Sequence, residues 1–287
     1  MRSQNAPMIV SILSGKGGVG KSIITLNLAE RTCSHGLRTL AIDLSSAGGN
    51  LHLLSNRTPL NGVEQYLSGE ISLSSSVVSI APNCDLLGRT MTGPIEAFAN
   101  APLANQICDQ LRNDATDYDL VIIDHGSGFS DISTNIAINS DCAMLVVVPE
   151  LTSIADCYGL YKYLTEKNSN TDCRILINRT KSADDADYLS SRLTEMAKNF
   201  LRRTPSFAGA IFEDPLVGES ISAQTPLALL AGQSVALEQI GSIALGLSNE
   251  LLSGREQAID TASRSRFGSV TPQATINNIA ATADIEE

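Results

Sequence analysis

The sequence predicts an α/β fold in three layers: a mostly parallel twisted sheet with helices on both faces. Two observations carry this. Short, solidly apolar runs alternate with segments of helical period, which is how strands buried on both faces by crossover helices are written. A glycine-rich run, Gly15-Lys16-Gly17-Gly18-Val19-Gly20, lies between the first apolar run and the first helical segment. That is where such a sheet places a phosphate-binding turn.

The elements follow in order. Met8–Leu13 is the first strand, too short for a helix and too continuously apolar for a half-exposed strand. A helix runs from Lys21 to about Ser34, with Gly36 as its stop signal. Thr39–Asp43, Leu120–Asp124, Ala143–Val148, Arg174–Asn178 and Phe207–Phe212 are further strands, with a weaker one near Asp85–Leu87. Helices cover Leu103–Asn113, Ser153–Glu166 and Asp184–Leu201. In the last helix, over 233–252, Ala236, Ile240, Ile243, Leu247 and Leu251 form one apolar stripe that ends at Gly254. From about Ser253 the composition turns to Ser, Thr, Ala and Asn. Residues 1–253 are therefore expected to form one nucleotide-binding domain, and 254–287 a poorly ordered polar tail.

Composition narrows the function. Of 287 residues 43% are apolar, enough for a sizeable core, and 20 Lys and Arg face 31 Asp and Glu, a formal charge of −11. That field argues against DNA and against anionic membranes as partners. The six cysteines are scattered with no C-x-x-C pair, which fits buried thiols in a reducing compartment. No run reaches the ~18–20 apolar residues of a membrane span. The start, MRSQNAPMIVSIL, runs straight into the glycine turn and reads as a strand, not a signal peptide. A cytoplasmic location is expected.

Gly15 to Ser22 fits G-x-x-x-x-G-K-[ST] in the strand–turn–helix setting that the motif requires, which makes the fold P-loop NTPase-like. The glycines let successive backbone N–H groups turn inward on phosphate oxygens, and the following helix adds the positive end of its dipole. Lys21 is placed to reach the β- and γ-phosphates and Ser22 to ligate Mg²⁺. Asp124 closes an apolar strand, as a Walker-B carboxylate that holds Mg²⁺ does. Asp43 ends another strand in the same way, and carboxylates at such ends converge on the ligand crevice.

Lys16 departs from an ordinary P-loop. The run Lys16-Gly17-Gly18-Val19-Gly20-Lys21-Ser22 resembles the deviant Walker A of the MinD/ParA family, which includes nitrogenase iron protein and arsenite-pump ATPases. The resemblance spans roughly residues 8–252. It implies ATP and Mg²⁺ as ligands, Gly15 to Ile23 as the phosphate cradle, and Lys16, Lys21 and Asp43 as catalytic groups. It further implies a dimer sandwiching two ATP molecules, in which Lys16 reaches the partner's phosphates. Leu120–Ser130 is similar to the family's switch-II segment. Pro149–Asp156 and Asn61–Glu70 look most like the flagellar-number regulators FlhG/FleN. Thr152 or Ser153 is expected to cap the helix that follows. By the same resemblance Asn178 contacts adenine, and Asp214 lies in the loop closing over the base. Phe212 stands where relatives usually carry Pro.

Two departures bear on activity. The family usually carries Asp-x-Asp after the second strand, and its second aspartate helps to position the attacking water; here the run is Asp43-Leu44-Ser45. A serine hydroxyl cannot accept a proton near pH 7, so hydrolysis is expected to be slow or impaired. His52 and His125 stand where relatives carry Asp and Thr, and His125 is read first as a wall residue of the site. The second departure is at the ends. The last helix lacks the Lys and Arg of a membrane-lying amphipathic helix, and the tail beyond it is more acidic than basic. Membrane binding through the tail is not expected, nor is the N-terminal activator motif of FlhG, since MRSQNAP alone precedes the first strand. The expected function is an ATP-dependent dimerisation switch with a protein partner, in positioning or regulation, flagellar number being the specific version. The alternatives are a non-hydrolysing nucleotide-bound scaffold, a ParA-type DNA segregator, which the net charge opposes, and an iron–sulfur carrier, which the cysteine spacing opposes.

Overall fold

The computed structural model describes residues 6–45, 49–90, 101–230 and 232–267, with the side chains of 101–105 and 256–267 outside the described set. Eight strands form one sheet: β1 (Met8–Leu13), β2 (Thr39–Leu44), β3 (Val78–Ala81), β4 (Cys84–Leu87), β5 (Leu120–His125), β6 (Cys142–Val147), β7 (Cys173–Thr180) and β8 (Ser206–Phe212). Their order is β3-β4-β2-β5-β1-β6-β7-β8. All pairs are parallel except β3 with β4. The expected three-layer, mostly parallel α/β architecture is therefore present. The antiparallel edge strand β3 was not expected, because its half-exposed four residues lack the solid apolar run of the inner strands.

The helices are α1 (Lys21–Ser34), α2 (Leu51–Leu54), α3 (Val63–Leu67), α4 (Leu73–Ser76), α5 (Ala101–Asp114), α6 (Asp131–Asn139), α7 (Leu151–Lys167), α8 (Ala183–Leu201), α9 (Pro215–Ala223) and α10 (Val235–Phe267). On one face of the sheet Ile9, Val121 and Ile123 pack with Ile107 and Leu111 of α5 and Val63 and Leu67 of α3. On the same face Leu13, Leu145, Val147, Ile175 and Ile177 pack with Cys157, Leu160 and Leu164 of α7 and Leu189 and Leu193 of α8. Strand alternation sends Val10, Ile12 and Ile122 to the opposite face, where α1 lies against β1, β2 and β5. All six cysteines are free and buried, in line with the sequence reading.

Helix starts follow local chemistry. Ser130 and Ser182 accept the N–H of Ser133 and Asp185 at 3.1 Å, capping α6 and α8. Asp214 caps α9, with Pro215 in the first helical position. Helix α7 corrects an expectation. It begins at Leu151, so neither Thr152 nor Ser153 is its cap; the Ser153 hydroxyl instead accepts the N–H of Val148 at 3.1 Å. The stop expected at Gly254 is also absent. That residue does not take up the positive φ of a helix terminator, and α10 continues to Phe267.

Contacts divide the chain into a compact unit of residues 1–248 and a second of 249–287. Residues 1–5 and 268–287, on which the readings of the N-terminal run and most of the tail fall, lie outside the described residues. No helix among the described residues is long and apolar enough to cross a membrane.

Gly209 is where α10 meets β8. Its φ is +147°, and a Cβ there would lie 2.9 Å from Cγ1 of Ile243. Gly209→Ala combines backbone strain with overpacking and is expected to cost about 1–3 kcal/mol. Thermal or urea unfolding checks this; an unchanged midpoint would show that the α10 contact does not constrain the strand.

Candidate functional site

Strand β1 lies between β5 and β6, so the sheet's strand order reverses there and the carboxyl ends of the strands open a crevice. The turn from β1 into α1 fills it. Gly18 and Gly20 have φ of +75° and +97°, conformations that side-chain-bearing residues rarely adopt. Gly15 is needed for another reason: a Cβ there would lie 2.5 Å from Cβ of Asp156 and 2.9 Å from its backbone, because α7 packs directly on the turn. At Gly20 a Cβ would run into the amide nitrogen of Asn178.

One side of the site is assembled from strand and turn ends. The Ser22 hydroxyl donates to Asp124 Oδ2 at 2.6 Å. Asp124 Oδ1 is buried with no partner among the described residues. An orphaned carboxylate oxygen beside a P-loop hydroxyl is a donor set suited to Mg²⁺, so Ser22 and Asp124 fit the expected metal role. Lys21 is buried and donates to Ser14 Oγ at 2.8 Å; Ser14 in turn donates to the carbonyl of Lys16 at 2.7 Å. Burial lowers the Lys21 pKa, partly offset by the charge of Asp124. Asp43 is the register partner of Asp124 across β2 and β5 and is fully buried. Its oxygens accept the N–H groups of Ser45 at 3.1 Å and Leu51 at 3.0 Å.

Lys16 points elsewhere. Its ammonium pairs with Glu150 of the same chain and donates to Thr152 Oγ1 at 3.3 Å. That ion pair holds the exposed Glu150 carboxyl below its ordinary pKa, first through the Lys16 hydrogen bond and then through its charge. Leu151, next to Glu150, is 88% exposed, and Phe129 is 53% exposed with its ring against Gly159 of α7. A second pair, Arg179 with Glu213 at 3.5 Å, involves residues next to Asn178 and Asp214.

Beside the turn opens a cavity of about 620 Å³, lined by Gly18, Gly20, Ile23, Asn178, Asp214 and Ile240 among others. The structure thus brings together Ile23, Asn178 and Asp214, which the sequence had assigned to the nucleotide. Asn178 Nδ2 donates to the carbonyl of Val19 at 2.7 Å, tying β7 to the turn. The Asp214 carboxylate accepts from Leu216 N–H at 2.9 Å, Ser234 Oγ at 2.6 Å and Ala236 N–H at 3.1 Å. Burial pushes its pKa up, but the bonds from Ser234, Ala236 and their neighbours outweigh this and leave it lowered. Its oxygens organise the starts of α9 and α10 at the cavity edge.

His125 is a wall residue. Its Nε2 lies 3.0 Å from Ser11 Oγ, and burial, followed by the charge of Lys21, pushes its pKa down to about 3, leaving a neutral ring. Sequence reasoning missed Ser14, the partner of Lys21, and Arg89, whose guanidinium donates to the Ser45 carbonyl at 2.7 Å. Ser14 could have been read from its place just ahead of Gly15. Nothing in the sequence marks Arg89.

Burial, followed by the charge of Asp43, raises the Asp124 pKa to about 7, and burial raises that of Asp43. Such groups bind protons more tightly folded than unfolded. For Asp124 that stabilising effect is complete below the ordinary carboxylate pKa and is lost as pH rises through about 7. In ligand-free protein, Asp124→Asn should gain on the wild type by on the order of 2–4 kcal/mol between pH 4 and pH 8. Urea unfolding of both proteins across that range checks this; a gap independent of pH would contradict it.

Comparison with known proteins places this geometry. The family model described as cellulose biosynthesis protein BcsQ matches residues 8–246. The antiactivator FleN of Pseudomonas aeruginosa is 26% identical over 225 residues, covering 78% of this chain and 80% of its own length. The flagellum site-determining protein YlxH of Helicobacter pylori is 25% identical over 247 residues, covering 85% and 83%. The structure of the septum site-determining protein MinD complexed with Mg-ADP, from Pyrococcus horikoshii, superposes with a TM-score of 0.70 at 21% identity, covering 84% of this chain and 96% of that one. With a P-loop that keeps both lysines, a Walker-B aspartate on the adjacent strand and a family match over most of its length, the chain belongs to the BcsQ family within the MinD/ParA P-loop ATPases.

Proposed function

We propose that this chain is an ATP- and Mg²⁺-dependent dimerisation switch acting in cellular positioning or regulation, with flagellar number or placement as the specific case, and that it turns ATP over slowly. The observation that carries the reading is Lys16. Its ammonium sits at the exposed rim of the site, held by Glu150 and Thr152 and not by the turn that bears it. An ion pair in water is weak, and a triphosphate on a facing protomer presents denser negative charge. Lys16 can therefore exchange Glu150 for the partner's phosphates, and the exposed Leu151 next to Glu150 gives the partner an apolar contact beside it. The similarity to FleN and YlxH supports the flagellar version.

In this reading the backbone N–H groups of the turn cradle the phosphates, and Lys21 leaves Ser14 to neutralise them. Ser22 and Asp124 would hold Mg²⁺, which would supply charge compensation for the phosphates. Asn178 and Ile23 border the cavity that takes the base. Asp43 orders the turn carrying Ser45, but no carboxylate stands at position 45 to orient water, which is the physical reason for slow turnover. The protein partner is to be identified by binding; a net charge of −11 opposes DNA.

Light scattering with a non-hydrolysable ATP analogue and Mg²⁺ tests the switch. Wild type should double in mass, Lys16→Ala should bind nucleotide yet stay monomeric, and Lys21→Ala should lose at least ~10-fold in affinity. A wild type that stays monomeric at saturating nucleotide sinks the switch.

Ser45 also favours a second reading, a scaffold that holds ATP without cleaving it. Ser45→Asp separates the two: turnover should rise at least ~10-fold if the missing carboxylate limits a slow enzyme. Nucleotide that stays bound and uncleaved over hours in both proteins would favour the scaffold.

A further inference from the structure

Behind the metal side of the site lies a buried ion pair that the nucleotide-binding roles do not use. Arg89, two residues past β4, donates from Nε to Glu64 Oε1 on α3 at 2.7 Å, and both side chains are about 95% buried, at 5% and 4% exposure. The same guanidinium donates from Nη1 to the carbonyl of Ser45 at 2.7 Å. Ser45 N–H returns to Asp43, which also accepts from Leu51. On the far side of the turn, a Cβ on Gly49 would lie 2.6 Å from Asp43 Oδ2 and 3.0 Å from Cβ of Arg89. The contacts form a chain from Glu64 through Arg89 and the Ser45 backbone to Asp43 and Leu51. Residues 46–48, between these anchors, lie outside the described residues.

Stability alone does not account for the pair. Taking two charges out of water is repaid only when the remaining donors and acceptors are satisfied, and an apolar pair of similar volume often does as well. Here Glu64 Oε2 is buried with no partner among the described residues. What an apolar pair could not supply is a planar fork that fixes a carboxylate and a carbonyl in one geometry. We infer that the Glu64–Arg89 pair is a positioning device for the Mg²⁺ side of the nucleotide site, fixing the Ser45 backbone and thereby the orientation of the Asp43 carboxylate that strand pairing sets beside Asp124. The inference rests on the ATP–Mg²⁺ reading above. It separates two contributions to affinity. The turn from Gly15 to Lys21 belongs to β1 and α1 and binds phosphates without Mg²⁺. Asp43 and Asp124 matter only with the metal, so Arg89 governs the tightening of ATP binding that Mg²⁺ brings.

The test compares wild type with Arg89→Gln, Arg89→Lys and Glu64→Gln. Arg89→Lys keeps a cation beside Glu64 but loses the fork, so it carries the test if the glutamine variants do not fold. Affinity for a fluorescent ATP analogue is measured in EDTA and in Mg²⁺, and amide exchange is followed in ligand-free protein. In EDTA the Kd should stay within about two-fold of wild type, while the tightening by Mg²⁺ falls at least ~5-fold. Exchange at Ser45 and Leu51 should quicken at least ~10-fold with β1 amides unchanged. A folded Arg89→Lys with wild-type tightening and wild-type exchange overturns the inference, as does an equal loss of affinity with and without Mg²⁺. If wild type itself shows no tightening by Mg²⁺, the ATP–Mg²⁺ reading fails, and with it the claim that the pair serves the metal side.

Discussion

Two carboxylates, Asp43 and Asp124, stand one residue before the ends of adjacent strands, in register, and neither is exposed to water. Parallel pairing of β2 with β5 forces them together, and burial makes the ionised pair expensive. Much of the site answers that constraint. Lys21 is drawn into the interior beside them, Ser22 donates a hydroxyl to one of them, and backbone N–H groups of Ser45 and Leu51 saturate the other. One oxygen, Asp124 Oδ1, is left without a partner. That oxygen, beside the Ser22 hydroxyl and a buried carboxylate neighbour, is a place where a cation would be favourable.

The phosphate turn is shaped by its neighbours as much as by its own sequence. Helix α7 presses the backbone of Asp156 onto Gly15, and β7 sends Asn178 against Gly20 and the Val19 carbonyl. These contacts tie the turn to α7, which Glu150 precedes, and to β7, which borders the cavity. Any movement of α7 is therefore felt by both the turn and the partner of Lys16. Coupling between phosphate binding and the rim needs no long pathway, because one helix end touches both.

The legible parts of the fold were those where local pattern and tertiary setting agree. Strand β1, helix α1 and the glycines between them could be read because a short run with five apolar residues in six reads as an inner strand and because the turn demands positive φ. Asp124 could be read from the apolar run before it. Strand β3 and the short helices α2 to α4 were missed because their few residues are held by packing, not by period. Gly254 misled because a glycine is not bound to positive φ and can sit inside a helix. Lys16 was visible as a residue, but its resting partner was not: Glu150 lies 134 positions away, and only the packing of α7 on Gly15 brings it close. Arg89 left no trace for the same reason; its meaning lies in Glu64 and Ser45, which neighbour it only in the folded chain.

The two ion pairs that flank the site differ in a way that follows from water. Lys16 and Glu150 are both substantially exposed, at 37% and 51%, so solvent screens the pair and replaces either partner at small cost. Glu64 and Arg89 are shut away, and separating them would strand a charge in the interior, which is strongly unfavourable. The first suits the exchange proposed for Lys16, and the second suits a fixed frame for it. In the proposed switch the moving charge works against that frame, and burial decides which pair does which.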